Sequence, residues 1–179
     1  MTQILKTAIF TGGCFWCTEA IFSRVKGVNE VISGYTGGFI KNPAYREVCE
    51  GKTGHAEGTK ITFEEGKVSY KTLLEIFFAT HDPTTLNRQG NDVGTQYRSA
   101  IFYLDKEQRD SAEDFIALLN DSDVFENPIV TEINKFEVFY DAENNHQDYY
   151  DNNKQQGYCQ IIINPKLKKL EQYYKNKLK

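Results

Sequence analysis

The chain contains few of the residues that cross-link a secreted protein or anchor one in a membrane. Its 179 residues include four cysteines, four prolines and a single tryptophan. Four cysteines are too few for a disulfide-stapled secreted fold, and a chain of this length buries a sufficient core without them. The longest apolar runs, such as residues 73–79 and 161–163, are far too short to span a bilayer. The amino terminus lacks a signal-peptide pattern, so we expect a cytoplasmic enzyme or binding module.

Neither sign of charge dominates the sequence. Lys and Arg number 21 against 25 Asp and Glu, which gives a formal net charge of −4. A mildly acidic chain without interleaved basic and aromatic residues argues against a nucleic-acid partner. Because no repeat or low-complexity tract interrupts it, residues 1–179 are predicted to form a single domain.

Hydrophobic periodicity predicts an α+β fold. Ser69 and Asp105 are suited to cap two helices, and Asn164 followed by Pro165 to open the last one. The first six elements have the order β-α-β-β-α-β, which predicts an α/β sandwich with a ferredoxin-like split βαβ core. The predicted elements are strand 5–11, helix 17–25, strands 28–35 and 56–63, helix 69–80, strand 99–104, helix 105–120, strand 130–140 and a helix from 164.

Three long segments connect these elements: residues 36–55, 81–97 and 141–161. They are rich in Gly, Asn, Asp, Tyr and His, and their composition does not indicate disorder. Long ordered loops on a compact scaffold usually carry function. We therefore expect the functional side chains to come from these segments.

Cys14 and Cys17 have the C-x-x-C spacing and follow Gly12-Gly13 at the predicted start of a helix. Unpaired amides and the positive end of the helix dipole stabilise a thiolate there, which predicts a reactive Cys14. A general thiol–disulfide oxidoreductase using both cysteines is a rival interpretation.

Two further interpretations of this pair remain open. The cysteines are small buried residues in one of them, because free cysteine is commonly buried. In the other they bind zinc in a binding module, although no second close pair of ligands is present. The additional ligands would come from Cys49, His55 and Cys159.

Glu57 stands at the start of predicted strand 56–63. A partly buried carboxyl has a raised pKa and stays protonated, so Glu57 is a candidate proton donor. An alternating strand equally allows Glu57 to face solvent, and both interpretations stand. His146 lies in the last long segment and is predicted to be structural, because a lone histidine usually is.

The chain resembles the A-class peptide methionine sulfoxide reductases from about residue 7 to residue 159. Six blocks in one order carry the resemblance, which is far more specific than a lone C-x-x-C. They are Gly13-Cys14-Phe15-Trp16, Gly34-Tyr35-Thr36-Gly37-Gly38, Asn42-Pro43 through Cys49, Gly54-His55-Ala56-Glu57, the segment 81–99 and Gly157-Tyr158-Cys159.

The resemblance implies reduction of the S-epimer of methionine sulfoxide, free or in proteins, without a metal or organic cofactor. It implies that Cys14 is the nucleophile, that a sulfenic acid and then a disulfide form, and that thioredoxin reduces the disulfide. We expect a monomer. The other implied roles are Glu57 as the acid, Tyr45 and Tyr97 as hydrogen-bond donors to the sulfoxide oxygen, Asp92 as support of the polar network, and Phe15 and Trp16 as the methyl pocket.

The resolving thiol has two candidates. Cys159 matches the resolving position in the family's Gly-Tyr-Cys motif and lies in a predicted mobile loop. Cys17 replaces a glycine that is common in the family, and a disulfide to Cys14 must meet tight distance limits. Cys159 is the preferred candidate, with Cys17 as the alternative, and Cys49 is predicted to be a packing residue.

Overall fold

The computed structural model describes residues 4–179, which form an α+β fold around a mixed sheet. The strands are β1 (Leu5–Thr11), β2 (Val28–Thr36), β3 (Ala56–Glu64), β4 (Arg88–Gln89), β5 (Asp92–Val93), β6 (Ala100–Tyr103), β7 (Glu132–Lys135) and β8 (Phe139–Asp141). The helices are α1 (Phe15–Phe22), α2 (Tyr45–Cys49), α3 (Tyr70–Thr80), α4 (Lys106–Asn120), α5 (Tyr149–Asn152) and α6 (Asn164–Tyr174).

Six strands form the main sheet, in the order β7-β6-β1-β3-β2-β8. Only β6 and β7 pair in parallel; the other described neighbours are antiparallel. Strands β4 and β5 form a separate small hairpin. The predicted strands 5–11, 28–35, 56–63 and 99–104 are thus confirmed to within one residue at each end.

Side chains of β1 alternate between two apolar clusters on opposite faces of the sheet. Ala8 and Phe10 belong to the large core, which α1 and α3 also enter. Ile9 points the other way, to a small cluster with Ala100 and Phe102. The start of α1 is therefore fixed against the buried face of the central strands, and this fixes Cys14.

The predicted helix caps of α3 and α4 are confirmed. The Ser69 hydroxyl accepts the Thr72 amide at 3.1 Å, and the Asp105 carboxylate accepts the Gln108 amide at 2.8 Å. These bonds satisfy amide groups that the first turn of a helix leaves unpaired. No helix in residues 4–179 is long and apolar enough to cross a membrane.

The prediction of one strand over residues 130–140 is wrong. This segment forms two short strands, β7 and β8, on opposite edges of the main sheet. The Phe136 amide donates to the Tyr103 carbonyl at 2.9 Å as the chain leaves the β6 edge. An extended apolar pattern continues across the crossing, so it does not reveal the change of partner.

The predicted start of the last helix at Asn164 is confirmed, but the predicted role of Asn164 as its cap is wrong. A π-helical turn, Cys159–Ile163, runs directly into α6, and the Asn164 carboxamide oxygen instead accepts the Tyr150 hydroxyl at 2.6 Å. Pro165 lacks the amide that would continue regular helical bonding, so it fits this junction. Cys159 is consequently a fully buried residue of a helical turn and does not lie in a loop.

The chain end is tied to the end of α1. The Lys177 carbonyl accepts the Lys26 amide at 2.8 Å, and the Lys179 amide donates to the Arg24 carbonyl at 2.9 Å. Val25 and Leu178 form an isolated β-bridge between these bonds. The bridge replaces the last turn predicted for helix 17–25.

Candidate active site

The turn between β1 and α1 presents Cys14. Gly13 has a φ of +92°, and a Cβ there would lie 2.7 Å from the Gln89 side chain, so only glycine fits. Cys14 occupies the N-cap position, and its carbonyl accepts the Cys17 amide at 3.0 Å. The Cys14 side chain is buried, with 9% of the residue's surface exposed.

The two thiols of the C-x-x-C pair line the same cavity, and each acts on the titration of the other. Burial, the adjacent Cys17 thiol and the nearby Glu57 carboxyl raise the pKa of Cys14 well above its usual value. The expected stabilisation of a Cys14 thiolate by the helix start is therefore outweighed, although the Trp16 amide acts in that direction. The adjacent Cys14 thiol and the Lys166 charge lower the pKa of Cys17.

Glu57 is buried beside Cys14, which rules out the solvent-facing interpretation. It pairs with Tyr35 across the β2–β3 ladder and is 1% exposed. Its carboxylate oxygen Oε2 accepts the Phe15 amide at 3.1 Å. Burial raises the pKa of Glu57 to about 8, and the Asp92 charge adds to the rise. Glu57 is thus a protonated acid at neutral pH.

Two tyrosine hydroxyls lie within electrostatic reach of Glu57. Tyr45 begins α2, and Tyr97 ends a 3₁₀ turn, Thr95–Tyr97. Burial raises the pKa of both hydroxyls, and the Glu57 charge raises it further. Both therefore remain neutral hydrogen-bond donors over the physiological range.

Trp16 forms an aromatic wall beside the thiol. Its ring stacks on Tyr149 with 3.6 Å between centroids, and its Nε1 donates to His146 Nδ1 at 3.1 Å. Phe15 differs from the expectation of direct substrate contact, because its ring is fully buried. It lies against Tyr45 and His146 instead, and so supports the site from behind.

His146 belongs to the site, although the sequence predicted only a structural role. It is 4% exposed, and burial lowers its pKa. Its neutral ring contacts Phe15, Trp16 and Tyr45. Sequence reasoning treated His146 as an isolated residue, and only the fold brings the last long segment against α1.

A buried carboxylate fixes this last segment. Glu19, on α1, accepts the amides of Asp148 at 2.9 Å and Tyr149 at 3.3 Å. Burial raises the pKa of Glu19 to about 7. Asp148 has a φ of +51°, so the two bonds hold the residue in a conformation that non-glycine residues seldom adopt. The sequence contained no signal for this anchor.

A cavity of about 470 Å³ opens on the side of Cys17. The Tyr158 hydroxyl lies 3.7 Å from Cys17 Sγ and donates to Asp92 Oδ2 at 2.7 Å. Asp92 thus acts on both Glu57 and Tyr158. Its charge raises the pKa of Glu57, and its carboxylate oxygen accepts the hydrogen bond from the Tyr158 hydroxyl. Lys166 and Ile161 also line the cavity.

The remaining candidate residues lie apart from one another. Cys49 is exposed, so the prediction of a packing residue is wrong. His55 is used within its own loop, where it accepts the Gly38 amide at 3.0 Å and contacts the Ile40 carbonyl. No group of three or more His, Cys, Asp or Glu within residues 4–179 is arranged to hold a metal ion.

The arrangement brings one polarisable thiol and one neutral carboxylic acid to the same helix start, with two tyrosine donors nearby. Such a pair acts on a substrate that must gain a proton on oxygen while sulfur attacks. The three long segments supply Tyr45, Tyr97 and His146, as the sequence analysis predicted for these segments.

Known proteins are similar to this chain in sequence and in fold. The family model described as peptide methionine sulfoxide reductase matches residues 6–178. The chain is 58% identical to a peptide methionine sulfoxide reductase of Deinococcus radiodurans, over 97% of this chain and 84% of the relative. It is 54% identical to that of Trichodesmium erythraeum, over 96% and 97%.

Solved structures agree with the sequence comparison. Reduced Mxr1 of Saccharomyces cerevisiae superposes with a TM-score of 0.79 at 32% identity, covering 87% of this chain and 89% of that one. Mxr1 has also been solved in complex with Trx2, at a TM-score of 0.56 and 21% identity over 83% of this chain and 89% of that one, a likeness of fold alone. The resemblance seen in the sequence is confirmed: this chain belongs to the peptide methionine sulfoxide reductase family.

Proposed function

We propose that this chain reduces the S-epimer of methionine sulfoxide, free or in proteins, to methionine. One observation carries the proposal: Cys14 and the neutral acid Glu57 meet at the first turn of α1. A sulfoxide sulfur is electrophilic only when its oxygen is protonated or strongly hydrogen-bonded. Glu57 supplies that proton, and Tyr45 and Tyr97 donate to the same oxygen.

The raised pKa of Cys14 fits this sequence of events. A buried neutral thiol is a poor nucleophile, so it does not react with electrophiles other than the bound substrate. Proton transfer from Glu57 places positive charge on the substrate sulfur, and that charge favours the Cys14 thiolate beside it. The oxygen passes to Cys14 as the sulfur–oxygen bond of the substrate breaks, which gives methionine and a sulfenic acid. Cys14 is oxidised by two electrons and the sulfoxide is reduced by two.

Epimer selection follows from the three different neighbours of the reacting sulfur. Its oxygen belongs on the side of Glu57 and the tyrosines, and its methyl group belongs against Trp16. The ring of His146 contacts both Phe15 and Trp16 and supports that wall. In the R-epimer the two substituents trade places, so its oxygen would face Trp16 and its methyl group would face the acid. Asp92 supports the polar side through its charge on Glu57 and its bond with Tyr158.

A second thiol then converts the sulfenic acid to a disulfide, and a thioredoxin-type dithiol reduces it. Cys159 is supported by its match to the family motif, and Cys17 by its place beside Cys14 in the first turn of α1, where both line one cavity. The yeast complex of Mxr1 with Trx2 supports thioredoxin as the partner. A chemistry that needs reduced thiols supports a cytoplasmic location.

We also propose that residues 1–179 act as one domain and as a monomer, with a ferredoxin-like core. The order β6-β1-β3-β2 with α1 and α3 as connections supports the split βαβ plan.

The decisive assay supplies each epimer of peptide-bound methionine sulfoxide with dithiothreitol. We expect turnover of the S-epimer only, and its loss in Cys14→Ser. Cys49→Ser is the matched control, because that thiol is exposed on α2 and should not be required. Equal turnover of both epimers, or full activity of Cys14→Ser, would refute the proposal.

A further inference from the structure

Cys17 lies between the nucleophile and a chain of two hydrogen-bonding groups. Its sulfur lines the same cavity as Cys14 and lies 3.7 Å from the Tyr158 hydroxyl. The two cysteines are three residues apart in the first helical turn, where the Cys17 amide bonds the Cys14 carbonyl at 3.0 Å. Residues at this spacing share a helix face, so the two side chains project to the same side of α1.

Tyr158 has one hydroxyl proton, and the geometry assigns it to Asp92. The 2.7 Å bond to Asp92 Oδ2 is short, and a carboxylate only accepts. The oxygen of Tyr158 is therefore free to accept the proton of Cys17. The chain Cys17–Tyr158–Asp92 leads from the buried sulfur to the wall of the 470 Å³ cavity.

The surroundings of Cys17 favour its thiolate. The adjacent Cys14 thiol and the Lys166 charge lower the pKa of Cys17, against burial and the Asp92 charge. The Lys166 charge continues to favour the thiolate after Cys14 has been oxidised, and the thiolate is the attacking form. The titratable groups that face it are Cys14, Glu57, Asp92, Tyr158, Cys159 and Lys166.

Cys159 is less accessible to Cys14. It is fully buried in the π-helical turn and does not line the cavity that Cys14 and Cys17 share. Cys159 is thus closed off from the cavity in which the sulfenic acid forms.

We propose that Cys17 is the thiol that resolves the Cys14 sulfenic acid, and that Tyr158 is a positioning residue that passes the Cys17 proton to Asp92. This inference rests on the proposed function. The Cys17 sulfur bonds to the Cys14 sulfur, and the sulfenic oxygen leaves as water. The leaving hydroxide takes up one proton, which balances the proton that Cys17 gives up. Cys17 is oxidised as the sulfenic sulfur is reduced.

The test is a single turnover with peptide methionine sulfoxide and no reductant, quenched with an alkylating reagent. Methionine is counted, disulfides are mapped by mass spectrometry, and sulfenic acid is trapped with dimedone. We expect Cys159→Ser to close a Cys14–Cys17 disulfide as fast as the unaltered protein does. Cys17→Ser should release one methionine per chain and retain its sulfenic acid, and Cys17→Ala should do the same.

Two results would overturn the assignment: a Cys14–Cys159 disulfide closing at the unaltered rate in Cys17→Ser, or trapped sulfenic acid in Cys159→Ser. Failure of the proposed function has a different signature, since the unaltered protein would then release no methionine.

Tyr158→Phe tests the hydroxyl alone, because the ring that contacts the edge of Trp16 remains. We expect disulfide closure to slow by at least about tenfold at pH 6, with the loss shrinking as pH rises and Cys17 ionises without help. Tyr150→Phe is the matched control, because its hydroxyl bonds Asn164. Equal slowing at every pH, or equal slowing in both variants, would contradict a proton-transfer role for Tyr158.

Discussion

Glu57 decides the chemistry of the site through its environment. Strand β3 carries it into the core, the Phe15 amide holds one oxygen at 3.1 Å, and burial keeps the proton on the carboxyl to about pH 8. Among the carboxyl groups of residues 4–179, that of Glu57 is the one whose charge acts on Cys14. Tyr45 and Tyr97 are far weaker acids, because their pKa values are raised as well.

Glu57→Gln should therefore slow methionine formation by about 100-fold or more, because an amide cannot transfer the proton. The fold should persist, since the amide oxygen still accepts the Phe15 amide. The measurement is the rate of the first turnover. Glu50→Gln, an exposed residue at the end of α2, is the control. An unchanged rate would mean that another group is the acid.

The same acid predicts a pH profile. The pKa of Glu57 is raised, so its active protonated form dominates at neutral pH and is lost above about pH 8. The rate constant of the first turnover should fall with an alkaline limb near that pH. The limb should disappear in Glu57→Gln, and a limb that persisted there would belong to another group.

Sequence reasoning identified Cys14 and Glu57 as partners but not their ionisation states. A helix start predicted a thiolate on Cys14, whereas burial and Glu57 hold the proton there. Alternation along residues 56–63 left the orientation of Glu57 open, because period-two patterns do not say which face another element covers. Tertiary burial supplies both answers.

At the scale of elements, α1 is the organising helix. Its first turn holds Cys14, Cys17 and the amide that binds Glu57, and Glu19 one turn later fixes the segment that carries Tyr149. The helix therefore positions the nucleophile and the opposing wall together. A substitution at Glu19 should therefore alter the position of Tyr149 in the site, although Glu19 itself acts only on the backbone of that segment.

Glu19→Ala should lower the free energy of unfolding by about 1–3 kcal/mol, because two amides lose their acceptor. Glu19→Gln retains an oxygen and should lose less. The check is urea unfolding of both variants. Equal stability of Glu19→Ala and the unaltered protein would show that water replaces the carboxylate at no cost.

Glu19 also gives stability a pH dependence. Its folded pKa of about 7 lies above the ordinary value of 4.5, so the folded protein holds this proton more tightly than the unfolded chain. Its contribution to stability is therefore full below about pH 4.5 and declines as pH rises to about 7. The difference between the unaltered protein and Glu19→Gln should vary with pH in this window, and a constant difference would contradict it.

Local sequence signals predicted elements better than their junctions. Ser69 and Asp105 bond amides within their own helices, so their caps were predictable. The π-helical turn before α6 depends on the packing of Cys159 and on the bond from Tyr150 to Asn164. Both contacts form only in the folded chain, so no local sequence signal predicts the turn. The split of residues 130–140 between two sheet edges has the same origin.

At the scale of the molecule, the chain end closes the structure. The backbone bonds of Lys177 and Lys179 tie the segment after α6 to the end of α1, one full helix away from Cys14. In the preceding helix, Leu167 and Leu170 are buried in the large core.

Removal of residues 175–179 should lower the free energy of unfolding by about 1–3 kcal/mol while leaving the rate of the first turnover unchanged. The expected transition remains single, since one core spans the helices. Calorimetry and a single-turnover assay measure the two quantities. Leu178→Ala, which keeps the backbone bonds, should lose less. Loss of activity with intact stability would contradict this division.

Trp16 has a consequence for how the molecule can be observed. It is the one tryptophan in the sequence, and it lies between Tyr149, His146 and Tyr158 at the reacting sulfur. The indole emission of the whole protein therefore originates at the catalytic turn. Sulfoxide binding, sulfenic acid formation and disulfide closure each alter its surroundings, so the cycle carries its own optical reporter and can be followed in real time without a label.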